Sequence, residues 1–248
     1  MKIKNLLFWV TFYSIAMGFL ESAVVIYLRQ LLYPGPDGFT FPLRPMHHNL
    51  ALVEVSREAA TIVMLMAIGA VAGKSKAEKF AWFLYSFAIW DIFYYVFLYV
   101  FLGWPQNLMT WDILFLIPVP WVGPVLSPVI IDIVMILFAL TIVRYSIKKS
   151  KVALRMSETL MLLTGGFIVV CSFTYDYVVQ YWPQLCHQLN GGQSLLSEMY
   201  NYSPAWFNWY LFSFGALIMV CAYITYLRRL SFVESAQHAE VREHYNYY

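Results

Sequence analysis

Charged residues are scarce in this sequence, and their scarcity excludes an ordinary soluble domain. Asp, Glu, Lys and Arg make up 12% of the 248 residues, whereas soluble domains carry about 25%. Hydrophobic residues reach 61%, so lipid is the expected solvent for most of the chain. The net charge is only +2, which predicts no nucleic-acid partner.

Cysteine is also rare, and the common catalytic motifs are missing. The three cysteines show no CxxC or other metal-binding spacing. We expect Cys171 and Cys221 to be buried within membrane spans and Cys186 to lie in a loop, which argues against a structural disulfide. The sequence contains no HExxH, no GxSxG and no phosphate-binding loop, and no pair of histidines within a span that could ligate haem.

Long apolar runs, in contrast, are abundant, and each can cross a bilayer with about 20 residues. They predict an all-α, polytopic transmembrane bundle of about six spans. The predicted spans are 6–32, 50–73, 80–102, 113–147, 158–182 and 204–227. The fourth run has a Pro-broken start, so we expect 111–127 to be a broken or surface-lying segment and 128–147 to be the span, with a re-entrant half-helix as the alternative.

The basic residues predict the orientation of these spans. Thirteen of the 16 Lys and Arg residues fall before span one, between spans two and three, between spans four and five, or after span six. By the positive-inside rule, that side faces the cytoplasm, and both termini lie there. The chain is then one transmembrane domain, 1–230, followed by a polar cytoplasmic tail, 231–248, helical or disordered. Ser203 and Pro204 read as the start of the sixth helix.

Ionisable side chains nevertheless occur within or beside the predicted spans, where they are costly and indicate a function by default. Most are expected at a similar depth, in the outer half of the membrane. Because lipid cannot solvate them, they should meet inside the bundle. Acids outnumber arginines, so some carboxyls must be protonated, reached by water, or bound to a cation or basic ligand. The set is Glu21, Arg29, Glu54, Arg57, Glu58, Asp91, Asp112, Asp132 and Asp176.

Helical spacing places several of these residues on shared faces. Residues at positions i, i+3, i+4 and i+7 form one stripe of a helix. Arg57 or Arg29 can then pair with a carboxylate through the guanidinium fork. The stripes are Glu54, Arg57, Glu58 and Thr61 in the second span, and Asp91, Tyr94 and Tyr95 in the third.

A purely structural ion-pair network is the alternative to a functional site. In that case Arg29 and Glu54 extend to the outer interface, while Asp132 or Asp176 caps a broken helix or binds a neighbouring hydroxyl. The adjacent His47 and His48 have no matching His or Cys partner at motif spacing, so an ordinary loop is preferred to a metal site and no metal is predicted.

Five segments resemble an uncharacterised family of bacterial multi-pass, six-helix membrane proteins. They cover somewhat under half the chain, in spans two to four and their connections. The resemblance implies the bacterial inner membrane and no particular activity. The segments are VEVSREAA at 53–60, WDIFYY at 90–95, LGWP at 102–105, TWD at 110–112 and IPVPWVGP at 117–124.

The leading functional hypothesis is a membrane-embedded site, open to the outer leaflet or periplasm. It would bind or process a small amphiphile such as a lipid, an isoprenoid or a quinone-like molecule, in an aromatic-rich setting. Glu54, Glu58 and Asp91 would supply acid–base groups, and Arg57 would position an anionic or polar headgroup. The remaining expected binding residues are Glu21, Tyr94, Tyr95, Asp112 and Trp121.

Two other functions use the same sequence features. In a proton- or cation-coupled transporter or channel, Glu21, Asp91 and Asp132 would line one path that continues to the cytoplasmic side. In a non-catalytic subunit, the chain would pair with other subunits of a larger complex or with copies of itself. No residue pattern identifies a cofactor, and whether the protein is an enzyme stays open at this stage.

Overall fold

The computed structural model describes residues 3–33, 48–117, 119–147, 153–189 and 202–246. These described residues form six helices, with two short strands between the third and the fourth. In order they are α1 (Ile3–Leu32), α2 (His48–Ala72), α3 (Lys76–Leu102), β1 (Trp111–Phe115), β2 (Trp121–Pro124), α4 (Leu126–Ile147), α5 (Met156–Leu189) and α6 (Trp209–Asn246).

All six helices are long and apolar enough to cross a membrane, which confirms the predicted all-α, multi-pass bundle. Large apolar side chains cover their outer surfaces: Val71 is 84% exposed and Tyr210 is 90% exposed. Such a surface is stable in lipid and would be unstable in water.

Helix α3 lies at the centre of one group and packs against α1, α2 and α4, while α5 and α6 form a pair. The backbones of α1 and α3 approach closely at Gly18, where an added Cβ would lie 2.8 Å from the Trp90 carbonyl oxygen. Ser22 uses this proximity and donates a hydrogen bond to the Tyr94 carbonyl at 3.1 Å. Small residues thus bring the two helices together, as is common where no water drives association.

The two ends of the bundle are held together by different contacts. At one end, Glu78 near the start of α3 accepts a hydrogen bond from Ser146 near the end of α4. At that same end, Arg229 of α6 donates to both carboxylate oxygens of Glu158 at 2.7 and 2.8 Å. The other end, where α1 and α3 end and α2 and α4 begin, carries β1 and β2; we call it the hairpin side.

The hairpin corrects the prediction for 111–127. Strands β1 and β2 pair antiparallel, with Asp112 opposite Gly123 and Ile113 opposite Val122. The segment is therefore neither a surface-lying stretch nor a re-entrant half-helix, and β2 packs against α5. Proline forbids a regular helix here, as expected, but strand pairing satisfies the freed backbone groups instead.

Other local predictions also change. Residues 202–208 are not helical, so the predicted cap at Ser203 and Pro204 is wrong; Asn208 caps α6 by accepting from the Leu211 N–H at 3.0 Å. Helix α6 continues through the predicted tail to Asn246, in agreement with the helical alternative for that tail. Cys221 is exposed on α6, against the expectation of burial. The side chains of Cys186 and His48, and all of His47, lie outside the described residues.

Candidate functional site

Arg57 joins two helices on the hairpin side through two carboxylates. Its Nε and Nη2 atoms donate to the two oxygens of Glu54 at 2.9 and 2.5 Å, and its Nη1 donates to Glu21 of α1. All three side chains are at least four-fifths buried. The predicted pairing of Arg57 with a carboxylate is therefore confirmed, and Glu54 does not extend to the interface.

Glu58, one residue further along α2, fastens the helix to the hairpin. Its carboxylate accepts the Leu116 backbone N–H, with N–O distances of 3.2 and 3.0 Å. Only 7% of the Glu58 side chain is exposed. Leu116 immediately follows β1, so this bond fixes where the hairpin sits above α2.

Arg29 and Asp112 form a second buried pair between α1 and β1. Arg29 Nη2 lies 3.9 Å from Asp112 Oδ1, and the guanidinium stacks on the Trp104 ring at 4.0 Å. The Tyr94 hydroxyl donates to Asp112 Oδ2 at 3.4 Å. Arg29 is 5% exposed, so its predicted extension to the interface is wrong. Burial raises the pKa of Asp112 to about 6, partly opposed by the Arg29 charge.

Asp91 of α3 and Asp132 of α4 bring a third group of acids into the bundle. Their carboxyls lie within hydrogen-bonding reach of each other. Asp132 is 1% exposed and Asp91 is 9% exposed. Glu21 and Asp112 are near enough to Asp91 to interact with it electrostatically, which links this pair to the two groups above.

Asp176 has a separate structural role. Its Oδ2 accepts hydrogen bonds from the Tyr202 hydroxyl at 2.8 Å, the Ala205 N–H at 3.1 Å and the Gln180 side chain at 2.9 Å. The expectation that Asp176 binds a neighbouring hydroxyl is confirmed. Through these bonds it holds the segment that precedes α6 against α5.

The remaining charges form one group that we call the acid cluster. It contains six carboxyls but only two guanidinium groups, so it is rich in acid wherever its protons lie. Within the described residues, no three His, Cys, Asp or Glu side chains are arranged to hold one metal ion. The acid cluster comprises Glu21, Glu54, Glu58, Asp91, Asp112 and Asp132 with Arg29 and Arg57.

Three buried aromatic side chains near the hairpin and the acid cluster carry hydrogen-bond donors without partners among the described residues. The Trp90 Nε1, the Trp121 Nε1 and the Tyr95 hydroxyl are buried without a hydrogen-bond partner in the described part of the chain. Trp90 and Trp121 both contact the Phe115 ring, at centroid distances of 6.4 and 5.4 Å. Buried polar groups in proteins nearly always have partners, so several unused donors in one region call for an explanation.

The structure brings eight of the nine predicted site residues together, while Trp121 packs on Phe115 of β1 and on Phe173 of α5. The functional roles of all nine stay predictions. The structure adds Arg29, which the sequence offered as a partner for a carboxylate, and Asp132, which the sequence placed in the alternative transport path. Trp90, Trp104 and Leu116 were not among the predicted site residues. The signal for Trp90 was its place directly before Asp91 in the third span. Nothing local signals the backbone N–H of Leu116 as the partner of Glu58.

Comparison with known proteins adds no identity to this picture. No family model, no curated protein and no solved structure matches the chain. The resemblance to a family of bacterial multi-pass proteins therefore stays a prediction, and a functional argument depends on the acid cluster alone.

Proposed function

We propose that this protein binds or processes a small amphiphilic molecule, such as a lipid, an isoprenoid or a quinone-like compound, at the acid cluster. The observation that carries the proposal is the excess of four carboxyls over guanidinium groups in one buried region. A purely structural network needs matched charges, because each unpaired buried carboxyl reduces stability. The excess of carboxyls is therefore better explained by ligand binding than by a role in stability alone.

The contacts of Arg57 revise the kind of ligand that fits. Each of the three guanidinium nitrogens of Arg57 already donates a hydrogen bond to Glu21 or Glu54. An anionic headgroup would also be repelled, because two carboxylates already surround the single Arg57 charge. We therefore assign Arg57 to positioning Glu21 and Glu54, and expect a ligand whose polar end carries hydroxyl or amine groups. Such groups can donate to carboxyls and accept from the Tyr95 hydroxyl.

The surroundings of the acid cluster support an amphiphile over a wholly polar ligand. Trp104 lies beside both Tyr95, at 6.3 Å between ring centroids, and Arg29. Apolar walls with a few polar groups are typical of ligand sites. The spans make the membrane itself the source of ligand, and the hairpin side is the end from which it enters. Glu58 and Asp91 supply the acid–base groups if the ligand is processed.

We also propose that the membrane is the bacterial inner membrane, with the hairpin side facing the periplasm. The support is the concentration of Lys and Arg at the opposite end of the helices, which the positive-inside rule assigns to the cytoplasm. Both termini are then cytoplasmic.

A coupled transporter is the second candidate, favoured by the depth at which Asp91 and Asp132 meet between α3 and α4. Acids at such positions serve as proton or cation relays in transport proteins. Proton or sodium flux into proteoliposomes that contain the purified protein separates this function from ligand binding without transport.

The test of the main proposal is whether the protein retains a specific small molecule. The protein is purified in nanodiscs cut from its own membranes, and its extract is compared by mass spectrometry with that of the bulk membrane. We expect an amphiphile enriched over bulk lipid in the wild type and depleted in Tyr95→Phe, which removes one buried hydroxyl.

Tyr99→Phe is the matched control, since Tyr99 lies one turn further along α3 and is 61% exposed. It should leave the enrichment unchanged. Wild-type extracts that match the bulk membrane would contradict the proposal, as would equal enrichment in the wild type and in Tyr95→Phe.

A further inference from the structure

Asp91 and Asp132 differ from the other buried acids in what surrounds them. Glu54 faces Arg57, Glu158 faces Arg229, and Asp176 accepts three hydrogen bonds. Among the described residues, neither Asp91 nor Asp132 takes part in an ion pair. Each of the two carboxyls lies within hydrogen-bonding reach of the other.

Two ionised carboxylates cannot lie side by side in this position. Each accepts hydrogen bonds and neither donates, so the contact would be repulsive, and burial would leave both charges unsolvated. Glu21 of α1 and Asp112 of β1 also lie near enough to Asp91 to repel a second negative charge there. A proton between the two carboxyls turns the repulsive contact into a hydrogen bond.

A second observation points to the same place. Tyr95 is only 6% exposed, and its hydroxyl interacts electrostatically with both Asp91 and Asp132. In the described part of the chain, neither this hydroxyl nor Asp132 Oδ2 makes a hydrogen bond of normal geometry, although the Asp112 carboxyl also lies within reach of Tyr95. Tyr95 follows Asp91 by four residues, one turn along α3, so its hydroxyl is placed to exchange a hydrogen bond with the pair.

We propose that Asp91 and Asp132 form a proton-binding site between α3 and α4, in which the two carboxyls share a proton. The surrounding titratable groups are Glu21 from α1, Asp112 from β1, and Tyr94 and Tyr95 from α3; Arg29 reaches Asp112 instead. The site belongs to the pair rather than to either residue. It holds the proton whether or not the acid cluster binds an amphiphile, so the two proposals stand or fall separately.

Infrared spectroscopy of the full-length protein in nanodiscs at neutral pH tests this proposal without any ligand. A protonated carboxyl has a carbonyl band separate from those of carboxylates and amides. We expect this band in the wild type and a loss of its intensity in the double variant Asp91→Asn/Asp132→Asn. Each single variant should remove the band or shift it, because an amide replaces one half of the hydrogen-bonded pair.

Asp176→Asn is the control, since Asp176 is an equally buried aspartate in a span but has three donors; it should leave the band unchanged. A wild type without the band overturns the proposal and needs no variant to do so. The proposal is also overturned if a pair variant that folds, single or double, has the same band as the wild type.

Discussion

Asp176 and Asp132 show that one residue type can be buried in two chemically different ways. Asp176 accepts three hydrogen bonds and needs its negative charge to strengthen them. Asp132 faces another carboxyl and has an oxygen without a partner in the described residues. Neither environment is visible from the sequence, where both are single acids within apolar runs.

This contrast predicts that the same substitution destabilises the protein more at Asp176 than at Asp132. Asp176→Asn should lower the free energy of unfolding by about 1–3 kcal/mol, since hydrogen bonds to a charged group are weakened. Asp132→Asn should cost less than about 1 kcal/mol, since an amide can donate to Asp91 as a protonated carboxyl does. Chemical unfolding in detergent, followed by loss of helicity, measures both; a larger loss for Asp132→Asn would contradict the assignment.

Arg57 is the residue whose removal should damage the acid cluster most. Arg57→Gln leaves Glu21 and Glu54 buried without a cation, and breaking such pairs costs about 3–5 kcal/mol. The side chain is 19% exposed, so we expect about 3 kcal/mol. The same unfolding assay measures the loss.

Arg228→Gln is the matched control because Arg228 is an exposed arginine on α6. Its effect should stay within about 0.5 kcal/mol. Equal effects of the two substitutions would mean that the Arg57 network contributes nothing specific.

At the scale of elements, apolar length was enough to predict the helices, while the hairpin could not be predicted. A run of about 20 apolar residues has few stable alternatives in lipid, so the six spans followed from composition. The segment 111–124 is too short and too rich in proline to show a clear helical or strand periodicity of its hydrophobic residues. What stabilises the hairpin is tertiary: Glu58 binds Leu116, and Asp112 is buried beside Arg29 and Tyr94.

The anchoring of β1 predicts a pH dependence of stability. The pKa of Asp112 rises from 3.8 to about 6 on folding because the side chain is buried. The folded state therefore binds this proton more tightly, and its stability should fall as pH rises from about 4 to about 6, then level off. A rise of about two in the pKa of Asp112 changes the free energy of unfolding by at most about 3 kcal/mol.

Asp112→Asn cannot titrate and should lack this contribution. The checking measurement is the difference in unfolding free energy between wild type and Asp112→Asn at pH values across that range. A difference that stays constant with pH would contradict the burial of an ionisable Asp112.

The contact between α5 and α6 makes a steric prediction. A Cβ at Gly165 would lie 2.8 Å from the Gly215 carbonyl oxygen, whereas one at Gly166 would meet nothing within 4 Å. Gly165→Val should therefore destabilise the bundle by about 1–3 kcal/mol, as overpacking does, and the adjacent Gly166→Val should be tolerated. Thermal unfolding of both variants checks the packing; equal stabilities would contradict it.

For the whole molecule, the sequence predicted that the charged residues meet inside the bundle but not which of them pair between helices. Glu54 and Arg57 are three residues apart on one helix, so their pairing followed from helical periodicity. Glu21 with Arg57 and Asp91 with Asp132 join different helices, and only the order in which helices pack decides such pairs. The useful signal was the presence of ionisable residues within apolar spans, and not a motif. Lipid cannot solvate such residues, so they must lie inside the bundle, near one another.

The proposed orientation predicts where reporters work. Alkaline phosphatase, which is active only outside the cytoplasm, should be active when fused after Leu108, on the hairpin side, and inactive when fused after Leu230 near the end of the sixth span. A fluorescent protein that folds only in the cytoplasm should show the reverse. The opposite pattern would invert the topology and place the acid cluster in the cytoplasmic half.

The central claim is that the acid cluster is assembled inside the bundle to hold a small amphiphile. An electron cryomicroscopy structure of the protein, in nanodiscs cut from its own membranes, tests it most directly. We expect Arg57 between Glu21 and Glu54, and non-protein density beside the Tyr95 hydroxyl. Acid side chains on separate or lipid-facing surfaces, or an acid cluster closed by protein and water alone, would contradict it.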